Sequence, residues 1–121
     1  MERFEVEFYE TPSGLFPAEE FIFSQDNKMQ AKLYHLIELL ELEGSDLREP
    51  YSKYLGDGIF ELRAKQGGRA ARVLYFFVVG KRVILTNGFM KKTRKTPAKE
   101  LEKARRYRND FFKQEGSEHH D

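Results

Sequence analysis

The first half of the chain carries one strand pattern followed by two helix patterns. In residues 3–9 the even positions are apolar and alternate with mainly charged ones, which predicts a strand with one buried face. A turn at residues 11–14 leads to a short helix with Pro17 in its first turn. A longer helix is predicted from its N-cap Asp26 to Gly44, because its apolar residues recur at helical spacing. The apolar stripe of this helix consists of Met29, Leu33, Leu36, Ile37 and Leu40.

The second half changes to a pattern of strands. Three strands are predicted at residues 58–65, 69–79 and 82–89, where apolar and β-branched residues dominate. Gly67-Gly68 and Gly80-Lys81 separate them as two-residue hairpin loops. Strands joined by such tight loops run antiparallel.

The remaining segments are a loop, a final helix and a tail. Residues 45–57, which include Pro50, are predicted to form a loop. Thr96 as N-cap and Pro97 in the first position mark the start of the final helix. Residues 115–121 are predicted to form a flexible tail.

The element order β-α-α-β-β-β-α predicts an α+β fold with a single domain spanning residues 1–121. We expect an antiparallel sheet with the two N-terminal helices packed on one face, and a C-terminal helix. No apolar stretch approaches the ~20 residues of a membrane-spanning helix, and the acidic N-terminus does not resemble a signal peptide. Because the chain also lacks cysteine, we expect a cytoplasmic protein without disulfides.

Charge is distributed unevenly between the two halves. Residues 1–58 contain 5 Lys and Arg against 13 Asp and Glu, whereas residues 59–121 contain 16 against 7. Within residues 81–108 there are 11 basic residues against Glu100 and Glu102. This asymmetry indicates a polyanionic partner; the alternative is a solvated basic helix that pairs with the acidic half.

The register of the first hairpin predicts where two of the basic residues lie on the sheet. A two-residue loop at Gly67-Gly68 places Arg63 directly opposite Arg72, and directly opposed like charges destabilise a hairpin. Two explanations are open. One is a nearby carboxylate, for which Glu61 is the candidate, and the other is a phosphate shared by the two guanidinium groups.

The second hairpin extends this surface. A two-residue loop at Gly80-Lys81 pairs Arg72 with Phe89, and the basic segment that follows leaves the sheet at the same end. Cations around an aromatic ring suit single-stranded RNA, through backbone contacts and base stacking; ordinary core packing is the alternative for Phe89. The cations expected around Phe89 are Arg63, Lys65, Arg72, Lys91 and Lys92, and Arg94 and Lys95 are further RNA-binding candidates. The alternative for residues 91–95 is a solvated connection before the final helix.

The sequence lacks the residues that metal or cofactor chemistry requires. His35 has no second ligand nearby, and His119 and His120 alone are a weak zinc signal. No Gly-rich phosphate loop is present. We therefore expect no metal and no cofactor. RNA cleavage needs neither, because the 2′-hydroxyl is the nucleophile and cations can stabilise the phosphorane.

Proton transfer is harder to assign from the sequence. Arginine stays protonated, and lysine acts as an acid or base only when its pKa is depressed, as a crowd of cations can achieve. Tyr51, Tyr54 and Tyr107 are further candidates as proton donors.

Three segments resemble the phage-derived HigB-like branch of the RelE/ParE toxin superfamily. They are EPYSKYLGDGIFELR, RVLYFF and GFMKKTRKTPAKELEKA, and the resemblance covers about residues 3–112. The specific features are ELR at Glu61–Arg63, a strand arginine at Arg72, and F-x-K-K-T-x-K-T-P at Phe89–Pro97.

The resemblance implies a type II toxin that cleaves mRNA on the ribosome and is neutralised by a small helix-turn-helix antitoxin. The catalytic positions that it implies are Arg63, Arg72, Lys91 and Lys92, with Lys65 and Phe89 as further RNA-binding positions. The superfamily also contains ParE-like inhibitors of DNA gyrase, which cleave nothing. That activity, or an inactive phage remnant, is the alternative to a ribonuclease.

Overall fold

The computed structural model describes residues 3–118. Within this range the chain forms five strands, three α-helices and one 3₁₀ turn. The elements are β1 (Glu5–Phe8), α1 (Pro17–Phe23), α2 (Asn27–Glu43), a 3₁₀ turn (Gly44–Asp46), β2 (Ser52–Gly56), β3 (Ile59–Gln66), β4 (Arg69–Val78), β5 (Arg82–Met90) and α3 (Ala98–Glu118). No helix in this range is long and apolar enough to cross a bilayer.

The predicted α+β fold is confirmed, and its sheet differs from the prediction in two ways. The strand order is β1-β5-β4-β3-β2. β1 runs parallel to β5 while the other pairs are antiparallel, so the sheet is mixed. β2 lies inside the segment 45–57 that was predicted to be a loop. This edge strand exposes Lys53 and Tyr54 and therefore lacks the alternation that identifies a half-buried strand.

Helices cover both faces of the sheet. On one face, α1 and α2 bury a core that includes Ile22, Leu33 and Leu40 against Val73 and Tyr75. The apolar stripe predicted for α2 is confirmed at Met29, Leu33, Leu36 and Leu40, which are buried, and Ile37 packs against them. On the other face, α3 closes two smaller clusters.

Polar contacts hold α3 along its whole length. Tyr9 donates a hydrogen bond of 2.5 Å to Asp110, and Arg82 pairs with Glu115 at 2.5 Å. Arg108 pairs with Asp57 at 3.0 Å. The helix continues to Glu118 through part of the segment predicted as a tail, whose flexibility stays a prediction, while residues 119–121 lie outside the described part of the chain.

The predicted register is confirmed for the first hairpin and reached differently in the second. Arg63 pairs with Arg72, and Arg72 pairs with Phe89. However, Val78 rather than Val79 pairs with Arg82, so the loop has three residues. A β-bulge then places two β5 residues opposite Leu74. The longer loop and the bulge shift the register by one residue in opposite directions, so Arg72 still pairs with Phe89.

The bulge residues Thr86 and Asn87 connect the sheet to α3. Thr86 is fully buried, and its hydroxyl donates a hydrogen bond of 2.7 Å to the side-chain oxygen of Asn87 and lies 3.2 Å from the carbonyl oxygen of Leu74. Asn87 in turn donates to the Glu100 carboxylate at 3.0 Å. Bulges commonly redirect a side chain in this way, and here the side chain fixes the first turns of α3.

The residue after the bulge offers a test of this packing. A Cβ at Gly88 would overlap the ring of Phe21, whereas a Cβ at Gly116 in α3 would meet nothing. We expect Gly88→Ala to lower the free energy of unfolding by about 1–3 kcal/mol through overpacking. Gly116→Ala should cause no loss, and a gain of at most about 1 kcal/mol from helix propensity. Urea unfolding of both variants measures this, and equal effects would contradict the packing described.

Candidate nucleic-acid interface

A buried carboxylate lies at the centre of the predicted basic surface. Glu61, on β3, is 0% exposed and is directed to the face of the sheet that α3 partly covers. One of its oxygens, Oε2, accepts a hydrogen bond of 2.8 Å from the Thr96 hydroxyl. The other, Oε1, has no hydrogen-bond partner among the described residues.

Three cations surround the free oxygen of Glu61. Its distance to Arg72 Nε is 3.5 Å, to Arg63 Nε 3.8 Å and to Lys91 Nζ 3.9 Å. We call these three residues, Arg63, Arg72 and Lys91, the basic cluster. Of the two explanations for the opposed arginines, the nearby carboxylate is therefore present, but it is the one buried carboxylate for three cations.

The members of the basic cluster differ in burial. Arg72 is 3% exposed, and its Nη1 donates a hydrogen bond to the Ala71 carbonyl at 3.0 Å. Arg63 is more exposed and also pairs with Glu49 at 3.1 Å, on the surface. Lys91 is held against β4 by its backbone N–H, which donates to the Ala70 carbonyl at 2.7 Å.

Burial and like charge make two of these cations weaker bases. The pKa of Arg72 is lowered by desolvation, which outweighs the attraction of Glu61, and Arg63 lowers it further. The pKa of Lys91 is also lowered, again mainly by desolvation. Arg72 and Arg63 add to this lowering while Glu61 opposes it. A lysine with a depressed pKa is the kind that can transfer a proton near neutral pH.

Glu61 also links the basic segment after β5 to the sheet. Lys91 and Thr96 approach the two oxygens of this carboxylate from opposite ends of the segment. Between them the exposed residues are Lys92, Thr93, Arg94 and Lys95. The carboxylate thus fixes both ends of a loop whose middle presents cations to solvent.

The other predicted site residues are placed differently. Phe89 is 9% exposed and packs with Ile59, Leu74 and Ala104, which matches the core-packing alternative and leaves little ring surface for a base. Lys65 is exposed and borders an open cleft.

This cleft, between α2 and β3, contains residues that the sequence reasoning did not group with the site. Its volume is about 480 Å³. It is lined by Lys32, His35, Leu36, Pro50, Tyr51, Arg63, Lys65 and Arg72. We call it the α2 cleft. Lys32 and His35 are three residues apart and therefore share a helix face, which was the available sequence signal, but the sequence does not say which strand faces that helix.

Residues with metal-binding chemistry are not gathered anywhere in the described chain. Among residues 3–118 no group of three or more His, Cys, Asp or Glu side chains is close enough to hold an ion. His35 lies in the α2 cleft among cations instead. The chemistry of this surface is that of an anion site.

Removal of the buried charge should be costly. Glu61→Gln keeps the side-chain volume but leaves Arg72 buried without a counter-ion, so we expect the free energy of unfolding to fall by about 3 kcal/mol. Glu49→Gln is the matched control, because its side chain is 65% exposed and exposed pairs contribute little. Urea unfolding at neutral pH measures both. Similar values for the two variants would show that Glu61 does not hold the basic cluster.

Comparison with known proteins identifies the family of this chain. Residues 20–109, which include the basic cluster, match the model of a family described as Phage derived protein Gp49-like (DUF891). No curated protein matches the sequence. The family is toxin-like and related to toxins of the RelE and HigB type. Because the match covers more than half of the 121 residues, this chain belongs to the phage-derived Gp49-like family.

Proposed function

We propose that this protein is the toxin of a type II toxin–antitoxin system and cleaves mRNA on the ribosome. The observation that carries the proposal is the basic cluster, in which three cations share one buried carboxylate and two of them, Arg63 and Arg72, line the α2 cleft. Such a site has an unbalanced positive charge that a phosphodiester would neutralise. The membership in a toxin-like family supports the same reading.

Arg63 and Arg72 suit the scissile phosphate, which would reach the nearly buried Arg72 through the α2 cleft that both residues line. They lie directly opposite each other on neighbouring strands, so their guanidinium groups are held by the sheet and not by a loop. Planar guanidinium groups bind phosphate oxygens through paired hydrogen bonds. Cations fixed in advance around a phosphate stabilise the negative charge that develops on the phosphorane.

Lys91 and Lys92 suit two further roles, proton donation and binding of the RNA backbone. Lys91 is partly buried with a lowered pKa, so it is suited to protonate the 5′-oxygen that leaves when the chain breaks. Lys92 is exposed and, with Arg94 and Lys95, suits the neighbouring RNA backbone. The nucleophile in this scheme is the 2′-hydroxyl of the RNA itself, so the proposed reaction requires no metal or cofactor.

The proposed partners are the ribosome with its mRNA and a neighbouring antitoxin. A toxin-like family implies an antitoxin, and we propose a small helix-turn-helix protein. The acidic first half of the chain leaves the cationic surface concentrated around β3, β4 and the segment before α3. This arrangement suits docking against ribosomal RNA by one side of the molecule.

Loss of either arginine should abolish cleavage. We expect Arg72→Ala and Arg63→Ala to lower ribosome-dependent mRNA cleavage at least about 100-fold, as removal of a transition-state donor does. Arg106→Ala is the control, because this exposed arginine lies on α3 away from the basic cluster. Cleavage is measured by mapping mRNA ends after induction, with circular dichroism to verify folding. Full activity of folded Arg63→Ala would show that the site is misplaced.

The same induction separates the ribonuclease from its rival. Cleavage ends within codons, without DNA-damage signalling, support the proposal. DNA damage without cleavage ends would replace it with the gyrase inhibitor. Growth without either signal would indicate an inactive remnant.

Salt dependence tests the backbone role of the exposed lysine. Each phosphate contact to single-stranded nucleic acid contributes about −0.7 to the slope of log affinity against log salt. We therefore expect Lys92→Ala to make this slope less negative by about 0.7 for binding of single-stranded RNA. Lys113→Ala serves as control, because Lys113 lies ~20 Å along α3 from its first residue. Equal slopes for the two variants would contradict a role of the basic segment in binding the RNA backbone.

A further inference from the structure

The α2 cleft is open because β2 stops short of the end of β3. The pairing between them begins at Ser52 and Leu62, and the next contact is a single hydrogen bond from Arg63 N–H to the Tyr51 carbonyl at 2.9 Å. Beyond this point the edge of β3 lacks a neighbouring strand. α2 flanks that gap and contributes Lys32, His35 and Leu36 to its wall.

The walls of the cleft combine three kinds of chemistry. Four cations (Lys32, Arg63, Lys65 and Arg72) line it and suit phosphate oxygens. Tyr51 is 46% exposed and lies beside Pro50, so its ring offers an aromatic face, on which nucleic-acid bases commonly stack. His35 is exposed on the same wall as Lys32. One cavity of about 480 Å³ thus contains residues that can bind a phosphate, stack on a base and transfer a proton. Its volume is in the range that holds a small ligand.

We propose that the α2 cleft holds the nucleotide on the 5′ side of the scissile phosphate, and that His35 accepts the proton of its 2′-hydroxyl. This inference rests on the proposed ribonuclease function. As the proton moves to the imidazole, a bond forms between the 2′-oxygen and phosphorus, and the bond from phosphorus to the 5′-oxygen breaks. The 5′-oxygen takes a proton from Lys91, and a 2′,3′-cyclic phosphate remains.

Histidine is suited to this role by its chemistry. It is the side chain that ordinarily changes charge between pH 5 and 8, and its neutral ring accepts a proton. The other titratable groups that line the cleft are Lys32, Tyr51, Arg63, Lys65 and Arg72, and none of these is a carboxylate. The cluster around Glu61 binds the phosphate in this scheme, while α2 supplies the base.

Binding is tested with a short RNA whose 2′-hydroxyls are methylated, because such an RNA binds but cannot be cleaved. We expect its titration to shift the imidazole NMR signals of His35, assigned with His35→Gln. Lys32→Ala and Tyr51→Ala should weaken binding several-fold. Lys28→Ala and Tyr34→Ala are the matched controls, because these exposed residues lie on α2 outside the cleft lining and should bind as the wild type does.

Catalysis is tested by the pH dependence of ribosome-dependent cleavage. Because a general base contributes about 10²–10⁴ in rate, we expect His35→Gln to lower the cleavage rate at least 100-fold. The increase of rate with pH that a general base causes should also be lost, whereas a structural role would leave the pH profile unchanged. Tyr34→Ala should retain both the rate and the profile.

The possible failures are distinguishable. If His35→Gln cleaves normally while Arg63→Ala does not, the role of His35 is wrong and the proposed ribonuclease stands. If the wild type cleaves no mRNA, the proposed function is wrong, and the role of His35 fails with it. A methylated RNA that shifts signals of the basic segment but not those of His35 would overturn the nucleotide site itself.

Discussion

The Glu61 carboxylate determines how the basic end of this sheet is built. A hairpin that sets Arg63 opposite Arg72 brings two like charges together, and the structure adds Lys91 from the next segment. Without a counter-ion, a guanidinium group as buried as that of Arg72 would be costly. Glu61 attracts all three cations, and its second oxygen accepts a hydrogen bond from Thr96 near the start of α3. The same interaction therefore maintains the fold and positions the cations.

The positive charge around this carboxylate is only partly neutralised. Its Oε1 and Arg72 Nε are both buried without a hydrogen bond, although they lie 3.5 Å apart. The attraction between the two groups is therefore Coulombic and is not reinforced by a hydrogen bond. Even with Glu49 paired to Arg63 on the surface, two negative charges face three positive ones, which leaves a field that attracts a further anion. A fully neutralised arginine pair would make a more stable sheet and a poorer phosphate site.

The sequence predicted this geometry where local rules determine it. Tight glycine loops set strand register, so the pairing of Arg63 with Arg72 was predictable. The pairing of Arg72 with Phe89 was also predicted, but through a two-residue loop, whereas the structure has a longer loop and a bulge at Thr86 and Asn87. Bulges depend on tertiary contacts, here the hydrogen bond from Asn87 to Glu100, and carry no clear local signal. Long-range placement was likewise not predictable: β1 beside β5, β2 at the edge, and His35 in the cleft.

The position of the site between two packed layers has a consequence for the whole molecule. Arg72 and Glu61 belong to the central strands, whereas Lys91 and Thr96 belong to the connection that leads into α3. Movement of α3 would therefore alter the basic cluster, and the contacts of Tyr9, Arg82 and Asp57 along that helix limit such movement. A ligand that binds only the folded state adds to its stability. A phosphate that completes the charge balance around Glu61 would thus strengthen the same sheet-to-helix connection that positions the cations.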